Sequence, residues 1–231
     1  MKVIIDRNRI STKRNHYLHE EILEAKKELQ KKNLNVVLLE EEFYIECLTI
    51  PKCRKKYIDA VVQSEVNNKF KEKDDILYNY SIVYKGKENI KILINYIDSK
   101  NINCLKHLKK VLKISSVYPV QILESKKIKR KLRKNIFVAI FPYEDVLYGF
   151  TYYKKLILGT IIIRKDDSFE KTKDKIIELM TLSNDIIKQL NKEIPNEIYF
   201  FKDSINFIKI NVNSIDNELK KIWSECYELQ V

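Results

Sequence analysis

The stretch "NIFVAIFPYEDVLYGFTYYKKLILGTIIIRK" (residues 135 to 165) decides how the rest of the chain is interpreted. It contains three apolar segments separated by the short polar pairs "ED" and "KK". Apolar runs that are rich in β-branched and aromatic residues, and that are joined by two polar residues, are typical of hairpins. We therefore predict three consecutive strands near 136–142, 146–153 and 156–164.

The residues that follow predict a long helix and then two further strands. Apolar residues recur at helical spacing over 168–193, and Ser168 can cap the start of this helix with its hydroxyl. The segments "NEIYFFKDS" and "NFIKINV" have the composition of strands. A closing helix is predicted for "SIDNELKKIWSECYELQ".

The residues before the stretch alternate between strands and helices in the same way. Strands are predicted at 1–6, 35–40 and 43–51, and a hairpin at "ILYNYSIVYK" and "NIKILINYID"; helices are predicted at 16–33, 54–70, 102–114 and 122–134. This mixture of hairpins and helices indicates an α/β protein with mixed sheets and two similar halves. We place the boundary in the basic segment, which gives an N-terminal subdomain 1–134 and a C-terminal subdomain 135–231.

Glycine is scarce, with only 3 residues in a chain of 231. Gly86, Gly149 and Gly159 are isolated from one another. Loops that cradle phosphates need glycine, because the backbone must turn tightly and approach the ligand closely. The sequence therefore lacks a P-loop, a dinucleotide-binding fingerprint and a nucleophile elbow. No pair of residues can be named as acid and base, so no catalytic residue is predicted.

The 4 cysteines do not form a metal-binding pattern. Cys47 and Cys53 are separated by five residues, which is not a usual zinc spacing. We expect free thiols and no metal site. There is no signal peptide, and no apolar run reaches the roughly 18 residues of a membrane span, so a cytoplasmic protein is expected.

The net charge of +12 allows two interpretations. One is a polyanionic partner, either nucleic acid or an anionic membrane surface. The other is a lysine-rich surface from an AT-rich genome, with no functional meaning.

The densest part of this charge is the run "KKIKRKLRK", a candidate docking patch for phosphates, acidic lipid headgroups or an acidic partner. The alternative is a solvated helix face between two subdomains. The run has no interleaved aromatic residues, so base stacking is not indicated. Its basic residues are Lys126, Lys127, Lys129, Arg130, Lys131, Arg133 and Lys134.

A series of elements before the opening stretch carries a family resemblance. A strand ends at Pro51, a helix has Glu65 late in it, the acidic loop "KEKDD" follows, and then come a hairpin at 76–97 and a helix and strand at 100–119. This order resembles PilM-like proteins and the cytoplasmic domains of GspL-like proteins, which are actin-like components of type IV pilus and type II secretion assembly platforms. The resemblance covers most of the chain from about residue 34. It implies an actin-like ATPase (ribonuclease H-like) fold with two mixed-sheet subdomains, the first of them truncated.

The same resemblance implies that the nucleotide site is degenerate. The first phosphate loop of actin-like ATPases carries an aspartate and a glycine; Asp6 is retained here, but the glycine is replaced. Both residues of the second loop and the glycine-rich adenosine loop are replaced too. The replacing residues are Asn8, Ala139, Phe141, Phe200 and Phe201. The resemblance thus implies no bound cofactor and no ATP hydrolysis, and we expect Ala139 and Phe141 to help fill the nucleotide cleft.

Two functions remain open at this stage. The first is a non-enzymatic cytoplasmic scaffold of a pilus or secretion assembly platform. It would bind the cytoplasmic tail of a PilN-like membrane protein or a motor ATPase, and through such partners it would lie at the inner membrane face. The alternative is a basic nucleic-acid-binding protein, which rests on the charge and on the run 126–134.

Overall fold

The protein is described by a computed structural model, which defines residues 1–30, 32–41, 43–70, 76–98, 102–190, 197–202, 206–211, 215, 217 and 219–220. Its strands are β1 (Lys2–Ile5), β2 (Arg9–Ser11), β3 (His16–Leu18), β4 (Asn33–Leu38), β5 (Tyr44–Pro51), β6 (Ile76–Lys85), β7 (Asn89–Asp98), β8 (Lys113–Pro119), β9 (Ile136–Tyr143), β10 (Val146–Tyr153), β11 (Leu156–Arg164), β12 (Glu197–Phe201) and β13 (Phe207–Asn211). Its α-helices are α1 (Ile22–Leu29), α2 (Lys55–Lys69), α3 (Ile102–Val111), α4 (Val120–Leu132) and α5 (Phe169–Lys188).

The chain forms two compact units that are not sequential halves. The first unit contains Met1–Glu41 and Asp98–Arg130, and the second contains Glu42–Ile97 and Lys131–Val231. The segment with β5, α2, β6 and β7 is inserted between β4 and α3 and belongs to the second unit. The sequence predicted a boundary at residue 134 between two actin-like halves. The two compact units do not test that boundary, so it stays a prediction.

The first unit is built on a five-stranded mixed sheet with the order β3-β2-β1-β4-β8. Strand β1 pairs antiparallel with β2 and parallel with β4, and β4 pairs parallel with β8. Strand β4 contains the continuous buried run Val36, Val37 and Leu38. Such a run is typical of a central parallel strand that is covered on both faces.

The second unit repeats this strand order in its own five-stranded sheet, β11-β10-β9-β12-β13. In each sheet, three antiparallel strands are followed by a helix and by a strand parallel to the first, here β12 beside β9. The last strands differ, because β13 is antiparallel to its neighbour β12 whereas β8 is parallel to β4. The prediction of two mixed-sheet subdomains is confirmed, and the three strands of the opening stretch are β9, β10 and β11.

Helix α5 lies directly on the sheet of the second unit. Its N-cap is Ser168, as predicted, whose hydroxyl accepts a hydrogen bond from the backbone N–H of Lys171. A Cβ atom added to Gly159 would lie 2.7 Å from the Ser183 hydroxyl, so the glycine sets how closely the helix approaches. Ser183 also hydrogen-bonds Thr151 at 2.8 Å, and both residues are fully buried.

The inserted segment forms a three-stranded sheet with the order β5-β7-β6. Helix α2 packs on it through Ile58, Val62 and Val66. These residues contact apolar side chains of the central strand β7, such as Ile92. The predicted hairpin and helix of this region are therefore present.

The sequence did not predict two short strands near the N-terminus. Strand β2 lies in the stretch "RNRISTKRN", and β3 occupies the start of what was expected to be a helix over 16–33. That helix begins only at Ile22, after a single 3-10 turn. Each of these strands has three residues, and β2 contains only one apolar side chain, Ile10, so no alternating pattern could reveal it.

Two further predictions concern the C-terminal helix and membrane-spanning segments. The predicted closing helix falls mostly outside the described residues. Among the residues that are described, no helix is long and apolar enough to cross a membrane.

A buried carboxylate holds the connection between β11 and α5. The Asp167 side chain is 1% exposed and accepts hydrogen bonds from the Arg164 backbone N–H at 2.9 Å and from Lys175 Nζ at 2.6 Å. Lys171 Nζ lies 2.5 Å from its other oxygen. Burial alone would raise the pKa of Asp167, but these donors outweigh it and hold the pKa well below its usual range.

This arrangement predicts an acid-dependent contribution to stability. Because the folded-state pKa is lowered, the carboxylate stabilises the fold fully above its unfolded pKa of about 3.9 and loses this effect as the pH falls towards the folded value. The variant Asp167→Asn should lose about 3 kcal/mol of unfolding free energy at neutral pH, since it leaves Lys175 without its buried partner. Urea unfolding of both proteins measures this, and the difference should shrink below about pH 4.

Asp145→Asn serves as the matched control. Its carboxylate is 86% exposed and lies 3.9 Å from Lys165, so the substitution should change stability by less than about 0.5 kcal/mol. A pH-independent difference between Asp167→Asn and the parent protein would contradict the role assigned to the carboxylate.

Candidate functional site

The turn between β1 and β2 corresponds to the predicted first phosphate loop. Asp6 Oδ1 accepts hydrogen bonds from the backbone N–H groups of Asn8 at 2.8 Å and of Arg9 at 2.7 Å. Its other oxygen pairs with Arg9 Nε at 3.0 Å. Asp6 is 8% exposed, so this is a buried carboxylate that binds the N–H groups of its own turn.

Asn8, which replaces the expected glycine, has both of its backbone groups engaged. Its N–H is bonded to Asp6, and its carbonyl accepts a hydrogen bond from the backbone N–H of His19 at 3.1 Å. It is not among the described residues with a positive φ. A phosphate loop binds its ligand through outward-pointing N–H groups. Here an internal carboxylate occupies the N–H groups of Asn8 and Arg9.

The predicted second phosphate loop lies in the hairpin of β9 and β10. Ala139 and Phe141 are buried within β9, opposite Phe150 and Tyr148 respectively. The Phe141 ring stacks on the Tyr148 ring with centroids 5.7 Å apart. Both side chains therefore pack within the sheet of the second unit; whether they also fill a nucleotide cleft stays a prediction.

The turn that closes this hairpin is formed by two acidic residues. Glu144 has a φ of 53°, in the left-handed region that favours glycine. Asp145 follows, with its carboxylate pointing into solvent near Lys165. Two carboxylates at a turn repel a phosphate group, because like charges at short range are unfavourable.

The two residues predicted to replace the adenosine loop are the last two of β12. Phe200 belongs to the apolar core beneath α5, whereas the Phe201 ring lies 5.3 Å from the Phe207 ring of β13. The turn after them is closed by a hydrogen bond from the Lys202 N–H to the Asn206 carbonyl at 3.0 Å. Residues 203–205 of this loop lie outside the described part of the chain.

The basic run begins on α4, within the first unit. Lys127 Nζ pairs with Glu124 at 2.6 Å, and Lys126 Nζ lies over the Tyr118 ring at 5.5 Å. Lys129 is half-buried and Arg130 is exposed.

The run continues into the second unit, where aromatic rings meet two of its lysines. Lys131 Nζ lies 5.5 Å from the rings of both Phe201 and Phe207. Lys134 Nζ lies 5.1 Å from the Tyr199 ring and 3.3 Å from Glu197. Arg133 is exposed, with a φ of 53°.

Four of the seven basic residues of the run thus make contacts within the protein: Lys126, Lys127, Lys131 and Lys134. Such contacts support the structural interpretation of these four, while the docking function of the run stays a prediction. The sequence showed no aromatic residues within the run, and it could not show that other strands supply them.

Within the described ranges, no group of three or more histidine, cysteine or acidic residues could hold a metal ion. Three of the four cysteines are described, and all three are free thiols: Cys47, Cys53 and Cys104. Burial raises the pKa of the Cys104 thiol to about 11, so it remains protonated at neutral pH.

Comparison with known proteins shows which solved structures have a similar fold. No protein-family model matches the chain, and no curated protein does either. Among solved structures, the chain is similar to the PilM–PilN type IV pilus biogenesis complex, with a TM-score of 0.53 and 8% identity over 98% of this chain and 85% of that one. The chain has an actin-like fold. At this identity the likeness concerns the fold alone, and at that level the predicted PilM-like resemblance is confirmed.

Two other solved structures are similar at lower TM-scores. One is the cytoplasmic domain of EpsL, an inner membrane component of the type II secretion system of Vibrio cholerae, with a TM-score of 0.43 and 13% identity over 71% of this chain and 70% of that one. The other is a Bacteroides thetaiotaomicron protein of unknown function with an actin-like ATPase fold, with a TM-score of 0.46 and 12% identity over 95% and 86% of the two chains.

The first turn yields a prediction about Asp6. The variant Asp6→Ala should lose about 2 kcal/mol of unfolding free energy, because it leaves the N–H groups of Asn8 and Arg9 without their acceptor. Asp6→Asn should lose less than half as much, since an amide oxygen can still accept both N–H groups and only the partly exposed pair with Arg9 is lost. Chemical denaturation measures both values. Equal losses in the two variants would show that the charge, rather than the capping geometry, stabilises the turn.

Proposed function

We propose that this chain is a non-enzymatic, actin-like scaffold of a type IV pilus or type II secretion-like assembly platform. The observation that carries the proposal is the Asp6 carboxylate, which occupies the N–H groups of Asn8 and Arg9 in the first turn. An actin-like fold whose phosphate turn is closed from within can keep its architecture without a nucleotide. Its surface then remains available for protein partners.

The second turn supports the absence of nucleotide chemistry. The oxygens of a triphosphate carry negative charge that is normally balanced by Mg²⁺ and by N–H donors. Glu144 and Asp145 add negative charge at this turn, and Ala139 has no side-chain oxygen with which to orient a metal-bound water.

The similarity of fold supports a role in a pilus or secretion assembly platform and suggests the class of partner. One similar structure, which covers 98% of this chain, is the PilM–PilN type IV pilus biogenesis complex. By analogy of fold, we propose that this chain binds the cytoplasmic tail of a membrane protein, or a motor ATPase, and that it lies at the inner membrane face through this partner.

Nucleotide binding provides the direct test. Isothermal titration of the full chain with Mg²⁺ and ATP should show no binding tighter than about 1 mM, because the N–H groups of the first turn are occupied. Asp145→Asn should behave identically, since removing one carboxylate from the second turn leaves the first turn closed. Micromolar, Mg²⁺-dependent binding by either protein would overturn the non-enzymatic scaffold.

The alternative function is nucleic-acid binding, which the net charge of +12 supports. The identity of the binding partner distinguishes it from the scaffold. We expect the immobilised full chain to capture the cytoplasmic tail of a small single-span membrane protein encoded beside it. Labelled double-stranded DNA should bind only at low salt, because contacts to phosphates weaken steeply as salt rises. DNA binding that persists at about 0.15 M salt, together with no capture of the tail, would favour the nucleic-acid function instead.

A further inference from the structure

Strand β6 forms an open edge of the three-stranded sheet in the second unit. It is ten residues long, Ile76–Lys85, and pairs with β7 on one side. No strand in the described part of the chain pairs with its other side. None of its ten residues is buried, whereas β7 contains fully buried residues such as Ile92 and Leu93. An edge of this kind presents a row of N–H and C=O groups that can pair with another chain.

The composition of β6 leaves this edge unprotected. Natural edge strands are usually short, or carry lysine, proline or inward-pointing charges that prevent pairing with other chains. Residues 76–84 contain neither a charge nor a proline, although 33% of the whole chain is charged. Tyr78 and Tyr84 remain 43% and 52% exposed on this strand. A long, uncharged edge with exposed tyrosines is the pattern expected of a strand that receives a partner.

A cavity of about 340 Å³ lies at the end of β6 that joins β7. Among the described residues that line it there are one cation and no carboxylate. The Lys91 ammonium donates one hydrogen bond to the Gln189 carbonyl at the end of α5, and it has two further N–H groups. The described lining residues are Val83, Tyr84, Asn89, Lys91, Tyr153, Gln189 and Leu190.

Further positive charge lies next to this cavity. The turn that follows Tyr153 consists of Lys154 and Lys155, with φ values of 44° and 81°. Lys154 Nζ lies 5.4 Å from the Tyr153 ring. Each left-handed backbone at a residue other than glycine costs about 1–2 kcal/mol, and asparagine and glycine usually occupy such a turn. Two lysines held there raise the positive potential at this end of the second unit.

We propose that β6 receives an extended peptide of the partner as a fourth strand, and that the peptide carries a carboxylate that enters the cavity and pairs with Lys91. The inference rests on the proposed function, because it names how the partner of that scaffold binds. Backbone hydrogen bonds along the edge supply affinity, and the single ammonium selects an acidic residue at one end of the peptide.

Other ligands fit these observations less well. A phosphate group is usually bound by several N–H groups, a glycine-rich turn or paired cations that contact it directly. The described lining offers one lysine, because Lys154 and Lys155 are not among the lining residues. A second copy of this chain, paired antiparallel through β6, would place the apolar Ile76, the first residue of its own strand, at this end.

The test uses the full chain and a designed peptide of about ten residues, the length of β6. The peptide alternates threonine and valine and ends in two glutamates; a second version ends in two glutamines. A third version keeps the glutamates but is N-methylated at alternate residues, which removes backbone donors without changing the side chains. Fluorescence anisotropy measures binding, and hydrogen exchange measures the protection of the β6 amides.

We expect the glutamate peptide to bind about tenfold more tightly than the glutamine peptide, and the N-methylated peptide to lose binding. Binding of the glutamate peptide should slow exchange in β6. The variant Lys91→Met should bind the glutamate and glutamine peptides equally, with Lys165→Met as a control that keeps the tenfold difference. The two unmodified peptides test the charge even if Lys91→Met folds poorly, because they use the parent protein.

The proposal is overturned if the N-methylated peptide binds as well as its parent, or if the β6 amides are already as protected as those of β7 in the free chain. It is also overturned if light scattering shows a dimer whose formation protects β6. If the chain captures a membrane-protein tail but β6 exchanges at an unchanged rate, the scaffold stands and only the edge-binding mode fails.

Discussion

The second unit depends on how closely α5 lies on its sheet. Gly159 removes the side chain that would collide with Ser183, and the Ser183 hydroxyl then reaches Thr151 at 2.8 Å inside an apolar core. A buried hydroxyl pair is stable only when both partners remain together, because an unpaired one is costly to desolvate. This hydrogen bond therefore fixes the position of α5, and the burial of its apolar face holds it on the sheet. Strand β12, which follows α5, then lies parallel to β9 and completes the repeated strand order.

The two five-stranded sheets share an order of strands, and in each a short turn follows the first strand, where the resemblance places a phosphate loop. Under the proposed function, the chemistry of those turns has changed while the strands around them are intact. Asp6 satisfies the first turn from within, and Glu144 and Asp145 make the second turn acidic. Under the proposed function, the fold persists without the nucleotide site. The apolar alternation of the strands maintains the sheet, and a few polar residues at its edge determine what binds there.

Much of this architecture could be predicted from the sequence, because β9, β10, β11 and α5 have long, strongly periodic apolar patterns. Strands β2 and β3 could not, since three residues with one or two apolar side chains give no measurable period. The replacements predicted at Asn8 and Ala139 rest on residue identity alone. The hydrogen bond from the Asn8 N–H to Asp6 depends on turn geometry, which residue identity does not reveal. Likewise, the rings of Phe201 and Tyr199 beside Lys131 and Lys134 come from a strand distant in sequence, β12.

In this chain, the described backbone positions with positive φ are occupied by residues other than glycine. Five described residues have a positive φ, and none is a glycine: Glu40, Arg133, Glu144, Lys154 and Lys155. Gly149 and Gly159 instead lie in strands, where an added Cβ would come within 2.6 Å and 2.7 Å of neighbouring atoms. We therefore expect the effects of substituting glycine into the turns, and of replacing the glycines in the strands, to be opposite in sign. The tight turns can accept glycine with a gain in stability, and the glycines of the sheet cannot accept even alanine without displacing their neighbours.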